Sequence, residues 1–273
     1  MNLLELKDIT LTYFSDNGET KALENISFNV NDGEFISIVG PSGCGKTTIL
    51  SLISGLIKPT SGEVIINQND NFYAGYMFQK DNLFEWRTVL DNVYLGLEIR
   101  KMKTAENIEY ANDLLKKYNL WEFRNKYPKQ LSGGMRQRVA LIRTLALKPS
   151  ILLLDEAFSA LDYQTRLNIC DDVYSIIKQM KLTAILVTHD ISEAISLSDK
   201  IIILSSRPAT VKKEISLNLN NIGTPLKRRE CPQAKEYFET IWSELMWQAI
   251  FQKNIKYIWR TKEYLEFWLQ LHK

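Results

Sequence analysis

Eight consecutive residues, Gly-Pro-Ser-Gly-Cys-Gly-Lys-Thr at 40–47, narrow the choice of fold more than any other part of the chain. They satisfy the pattern G-x-x-x-x-G-K-[ST]. The apolar run "EFISIV" precedes them, and "KTTILSLISGL", of helical length, follows. A strand that ends in such a loop and reopens as a helix belongs in an α/β sheet. The glycines let the backbone curl so that successive N–H groups aim at phosphate oxygens, and the helix N-terminus adds a favourable dipole. Lys46 brings a point charge to the outer phosphates, and the Thr47 hydroxyl suits a Mg²⁺ ion. Gly40, Pro41, Ser42, Gly43, Cys44, Gly45, Lys46, Thr47 and Thr48 are therefore the predicted nucleotide-binding residues. The loop alone specifies a nucleoside triphosphate, which kinases, GTPases, helicases and transport ATPases all use.

The remaining chain alternates between two periods. "LLELKDITLTY" alternates with period two and reads as a strand, with "ISFNV" its antiparallel neighbour. "GEVIINQ" and "AGYMFQ" read as short strands, and the pattern from 88 to about 118 turns helical. "YQTRLNICDDVYSIIKQM" and "ISEAISLS" read as helices around the strands "ILLLDE", "TAILVTH" and "KIIILS". Strand–helix alternation on both sides of a helical block predicts an α/β core carrying an inserted helical subdomain at about 88–147. The polar stretch "NLNNIGTPLKRRECP" predicts a boundary between a domain at 1–224 and a C-terminal segment at 225–273.

"ILLLDE" puts Asp155 and Glu156 at the end of a buried strand, and ligands of open α/β sheets bind at such ends. Asp155 suits a Mg²⁺ ion held through water. Glu156, one residue on, suits a general base for an attacking water. His189 follows "AILVT" at another strand end, where it is predicted to contact a γ-phosphate.

Charge and cysteine content restrict the partners. The formal net charge is +2, from 34 basic and 32 acidic residues, with no basic stripe, so no nucleic-acid partner is expected. Cys44, Cys170 and Cys231 are widely spaced, which excludes a disulfide framework or a CxxC zinc site. No apolar run reaches about 18 residues and "MNLLELKDIT" does not read as a signal peptide, so a soluble cytosolic chain is expected.

A second glycine loop, "LSGGMRQR" at 131–138, also runs into a helical pattern. Together with the first loop, "ILLLDEAFSALD" and "VTHD", in this order, it resembles the nucleotide-binding subunits of ABC transporters over about residues 1–230. P-loop kinases and GTPases lack the "LSGG" element. The resemblance implies an α/β fold with a P-loop NTPase (RecA-like) core, an antiparallel β subdomain, the inserted helical subdomain and a helical C-terminal extension. It implies ATP and Mg²⁺ as cofactors and a homodimer in which each ATP lies between the first loop of one chain and Ser132, Gly133 and Gly134 of the other. By the same resemblance Tyr13 stacks on adenine, Gln79 senses Mg²⁺ and γ-phosphate, and Asp162 ends a segment, "SALD", that couples the two sites.

"MFQKDNLFEWRTVLDNVYLGLEI" and "IILSSRPATVKKEI" resemble the importers of the nitrate, sulfonate and taurine group, which includes carriers of pyrimidine-type vitamin precursors. That group implies integral membrane permease subunits, an extracytoplasmic solute-binding protein and a seat on the cytoplasmic face of the membrane. Glu85 stands where the group usually has proline, and Ile142 and Thr144 depart from a commoner alanine-rich helix, a change read as helix packing. The rival reading is a soluble ABC ATPase with a regulatory or assembly role. Ribosome-acting members typically fuse two ATPase halves and chromosome-acting ones carry a long coiled coil, and neither feature is present.

The last segment is rich in Trp242, Trp247, Trp259 and Trp268, interspersed with Lys253, Lys256, Arg260 and Lys262. Phe238, Ile241, Trp242, Leu245 and Ala249 form one helical stripe. The expectation is a helical appendage packed on its own core with its basic residues outward. Contact with a permease or with lipid headgroups, which tryptophan and lysine suit, is a second reading, and a regulatory or ligand-sensing role is a third.

Overall fold

A computed structural model describes residues 2–16, 18–67, 72–219 and 221–252, with backbone alone from 247 onward. In chain order the elements are β1 (Asn2–Ser15), β2 (Gly18–Asn31), β3 (Phe35–Val39), α1 (Lys46–Ile53), β4 (Ser61–Ile66), β5 (Ala74–Met77), α2 (Val89–Ile99), α3 (Ala105–Lys117), α4 (Gly133–Leu145), β6 (Ile151–Asp155), α5 (Tyr163–Met180), β7 (Thr183–Val187), α6 (Ile191–Leu197), β8 (Lys200–Leu204), β9 (Val211–Ser216), α7 (Pro225–Glu230) and α8 (Pro232–Gln252).

Two sheets divide these strands. β2, β1 and β4 form an antiparallel sheet, as the period-two patterns predict. The larger sheet has the order β5-β6-β7-β3-β8-β9, parallel except for β9. β3, β7 and β8 are buried along their whole lengths, which is why they read as predominantly apolar runs. β3 lies between β7 and β8, and β7 pairs in turn with β6, so the loop after β3 opens at the sheet end where Asp155, Glu156 and His189 follow the parallel strands β6 and β7.

β9 was not expected from the sequence. Its residues Lys212, Lys213 and Glu214 are exposed, and a charged edge strand shows no apolar alternation. Glu244 of α8 pairs with both lysines, at 2.9 and 3.1 Å.

Helices α2, α3 and α4 form the predicted helical block. Thr88 caps α2 with a reciprocal Thr88–Asp91 capping box, and the Thr104 hydroxyl caps α3 by accepting from Asn107 N–H. Leu97, Leu115, Val139 and Leu145 of this block share one apolar cluster with Leu152 and Leu154 of β6. Ile142 and Thr144 are buried, and Thr144 Cγ2 would stand 2.6 Å from a Cβ at Gly75, so both residues serve helix packing as expected.

The C-terminal helices lie on the core. Ala234 and Ile241 of α8 are buried with Ile195, Ile201 and Leu217, and Phe238 and Leu245 pack against them. Trp242 stacks on Phe238 at 6.0 Å between centroids and remains exposed. The expectation of outward basic residues fails at Arg228 of α7. That side chain is fully buried, donates to the carbonyls of Ser196 and Ser198 at 3.4 and 3.3 Å, and lies 4.8 Å from the Tyr174 ring centroid. A guanidinium repays its burial here because α6 ends in carbonyls that lack helical partners. Ala249 and the side chain of Trp247, with Lys253, Lys256, Trp259, Arg260, Lys262 and Trp268, lie outside the described residues or side chains.

Candidate nucleotide site

The loop after β3 is shaped by its glycines. Cys44 N–H donates to the Pro41 carbonyl at 3.3 Å and closes a turn. Gly45, with φ 117°, is the N-cap of α1. A Cβ there would stand 2.8 Å from Leu23 Cδ2, so both the backbone and β2 require glycine. No side chain caps α1, which leaves its first amides free for an anion. Lys46 is buried and its Nζ donates to the carbonyls of Gly40 and Pro41, each at 2.9 Å. Arg207, from the β8–β9 connection, donates to the Gly43 carbonyl at 2.9 Å. Three carbonyls of the loop are thus tied by cations of the chain itself. Cys44 is buried in the same loop, and that burial raises its thiol pKa.

The strand ends meet this loop. Thr47 Oγ1 donates to Asp155 Oδ1 at 2.9 Å, and the Tyr76 hydroxyl donates to Asp155 Oδ2 at 3.0 Å. Burial, then the neighbouring Asp155 charge, pushes the Tyr76 phenol up, so it stays a donor. Glu156 takes a left-handed backbone, φ 47°, while its N–H donates to Val187 O at 2.9 Å. Its Oε2 lies 3.4 Å from Nδ1 of His189, whose ring is well exposed. Gln79 Nε2 donates to Ser159 Oγ at 3.1 Å, and Ser159 Oγ donates to the Glu156 carbonyl at 2.9 Å. The Tyr13 hydroxyl lies 3.4 Å from Thr48 Oγ1 at the mouth of the loop. The structure therefore collects Tyr13, Lys46, Thr47, Thr48, Gln79, Asp155, Glu156 and His189 around one end of the large sheet.

The donor set fits Mg²⁺. Thr47 and Asp155 offer hard oxygens, and Mg²⁺ takes few protein ligands because it keeps waters and phosphate oxygens. Among the described residues no cluster of three acidic, histidine or cysteine side chains suited to a metal occurs.

The second loop has its own geometry. Ser132 caps α4 by accepting from Met135 N–H at 3.3 Å, and Ser132 and Gly133 are exposed. Gly134 is buried because a Cβ there would stand 2.9 Å from Thr165 Cγ2 of α5. Asp162 caps α5, accepting from Thr165 N–H at 3.0 Å, and that bond lowers its pKa. Among the described residues no hydrogen bond joins Ser132, Gly133 or Gly134 to the first loop.

Sequence reasoning missed several supports of the site. Tyr76 lies in the strand segment "AGYMFQ" and Arg207 in "IILSSRPATVKKEI", but neither is singled out there as a site residue. Thr188, before His189, donates to the buried carboxyl of Glu193, and Asp190 N–H donates back to Thr188 Oγ1 at 3.0 Å. Burial raises the Glu193 pKa. The anomalous Glu85 pairs with Arg136 of α4 at 2.8 Å, and Arg136 also grips Asp81 at 2.9 Å. Asp81 and Arg136 line a cleft of ≈ 350 Å³ together with Gln79, Leu83, Gly133 and Leu161. Trp86, next to Glu85 in the chain, is exposed and stacks on Phe84.

Comparison with known proteins agrees with this geometry. The profile of the family described as ABC transporter matches residues 23–159. An uncharacterized ABC transporter ATP-binding protein, YtlC of Bacillus subtilis (strain 168), is 47% identical over 256 residues, covering 90% of this chain and 96% of YtlC. The nitrate import ATP-binding protein NrtD of Synechocystis sp. is 39% identical over 220 residues, 79% of this chain and 83% of NrtD. Taurine and aliphatic sulfonates import ATP-binding proteins are further relatives, at 36% and 39% identity. Among solved structures, the dimeric post-hydrolysis state of the ATP-binding cassette MJ0796, bound to ADP and Pi, superposes with a TM-score of 0.67 at 37% identity, covering 79% of this chain and 99% of that one. The phosphate loop, the strand-end carboxylates, the second glycine loop and these likenesses agree: the chain belongs to the ABC transporter family, as an ATP-binding subunit of its ATPase type.

Proposed function

We propose that this chain energises the import of a small solute, an anion of the nitrate, sulfonate or taurine kind or a related compound, through separate membrane permease subunits. The observation that carries the reading is the separation of two nucleotide-facing surfaces. Thr47, Asp155, Glu156 and His189 gather beside the first loop, while the exposed Ser132 and Gly133 have no hydrogen bond to it. A second copy, docked head to tail, supplies what each site lacks, in keeping with the dimeric MJ0796 cassette.

In each composite site the amides of α1 and Lys46 hold the phosphates, Tyr13 meets the base, and Thr47, Asp155 and Gln79 hold Mg²⁺, which neutralises phosphate charge when bound. Glu156 activates the attacking water, an effect worth roughly 10²–10⁴ in rate, and His189 contacts the γ-phosphate. Asp162 couples the sites through the N-terminus of α5. The domain of residues 1–224 carries this chemistry, and α7 and α8 support it from behind. The cleft between the Gln79 loop and α4, together with the exposed Trp86, receives the permease, and Glu85 marks the partner it accepts. No described helix is long and apolar enough to cross a membrane, so the seat on the cytoplasmic face comes from the permease, which a solute-binding protein supplies from the other side.

Affinity purification of the tagged chain from detergent-solubilised membranes tests this. Permease subunits should co-purify, and loaded solute-binding protein should stimulate ATP hydrolysis in the reconstituted complex. Recovery of the chain without any membrane partner would overturn the transport reading.

A further inference from the structure

Both oxygens of the Asp155 carboxylate are held, and by different elements. Oδ1 accepts from Thr47 of α1, and Oδ2 accepts from Tyr76 of β5. β5 is the edge strand beside β6, and Tyr76 stands in register with Leu153, so its side chain reaches the end of β6 from the adjacent strand. Alternation along β5 sends its neighbours the other way. Gly75 faces Thr144 of α4, whereas Tyr76 packs with the cluster beneath α1 that includes Ile49, Leu50 and Ile53. Its ring centroid lies 4.5 Å from that of Phe78, which fixes the phenol further.

We propose that Tyr76 is a positioning residue for the metal site: its hydroxyl holds Asp155 Oδ2, so that Oδ1 stays turned toward Thr47. The inference rests on the reading of Thr47 and Asp155 as the Mg²⁺ site. A carboxylate turns readily about its last bond, because that torsion has broad wells. A donor on one oxygen removes that freedom before the cation arrives. A phenol does so without a positive charge, which a lysine or arginine in its place would set against the cation. Hydrogen bonds to metal-ligating groups typically account for 10–100-fold in metal affinity.

The test uses the full chain, a fluorescent ADP analogue, so that no hydrolysis intervenes, and Mn²⁺ followed by electron paramagnetic resonance. Tyr76→Phe keeps the ring and deletes the donor. It should weaken Mn²⁺ binding in the presence of the analogue by about tenfold. Its affinity for the analogue without metal should stay within about twofold of wild type, which also shows that the variant is folded. Unchanged Mn²⁺ affinity in Tyr76→Phe overturns the proposal, and so does loss of metal-free binding, which would make Tyr76 a packing residue. A wild-type chain that binds nucleotide but no Mn²⁺ overturns the metal-site reading itself, and this inference with it.

Discussion

Glu156 Oε2 lies 3.4 Å from His189 Nδ1, across the ends of the paired strands β6 and β7. Glu156 takes a left-handed backbone where β6 ends. Glu156→Gln should therefore bind ATP with unchanged affinity and release phosphate roughly 10²–10⁴ times more slowly, accumulating as a closed dimer. Phosphate release and size-exclusion chromatography with ATP measure both effects, and wild-type turnover would remove Glu156 from its role.

Lys46 ties the carbonyls of Gly40 and Pro41. Lys46→Ala should lose those ties together with a phosphate contact and weaken ATP binding about 10- to 150-fold, since a hydrogen bond to a charged group contributes around 1.5–3 kcal/mol. Isothermal titration would show it, with the melting temperature as a control for fold.

Composite sites make a prediction about mixed dimers. A Ser132→Arg chain paired with a Lys46→Ala chain carries both lesions in one site and leaves the other whole. A doubly mutated chain paired with wild type carries one lesion in each. The first arrangement should bind one ATP with wild-type affinity, and the second should bind no ATP that tightly. Equal binding by the two would speak against a head-to-tail sandwich.

Arg228 fastens α7 to the end of α6 through the carbonyls of Ser196 and Ser198. Arg228→Ala should cost about 2–3 kcal/mol in urea unfolding, because buried acceptors lose their donor. Truncation near Gly223 should likewise leave ATP binding measurable while lowering solubility or transporter assembly, since it exposes the face that Ile241 and Ala234 cover. A truncated chain as stable and as soluble as the whole would contradict this.

Glu193 gives a pH signature. Burial raises its folded pKa above the ordinary value of 4.5, so the native state holds its proton more tightly than the unfolded chain does. The stability it contributes is complete below the ordinary value and is lost as pH rises toward and through the raised one. Glu193→Gln should remove that loss while keeping an acceptor for Thr188. Its melting temperature should exceed that of wild type by a few degrees at pH 8, and the gap should close near pH 4. A constant gap across that range would refute the assignment.

The nucleotide chemistry was legible in the sequence because it is local. A helix preceded by Gly45, a lysine and a threonine behind it, and two carboxylates after four apolar residues each need only a short stretch of chain to have meaning. The antiparallel sheet, the buried strands and the helical block followed from their periods for the same reason. Tertiary structure decided what depends on distant neighbours. It set β5 beside β6 and so brought Tyr76 to Asp155, and it set β8 beside β3 and so brought Arg207 to Gly43. It also buried Arg228, whose basic surroundings at 227–229 suggest an exposed face. No local pattern encodes these contacts, because a hydrogen bond between residues scores of positions apart is set by strand order. Strand order is chosen by the burial of the whole core rather than by any one segment.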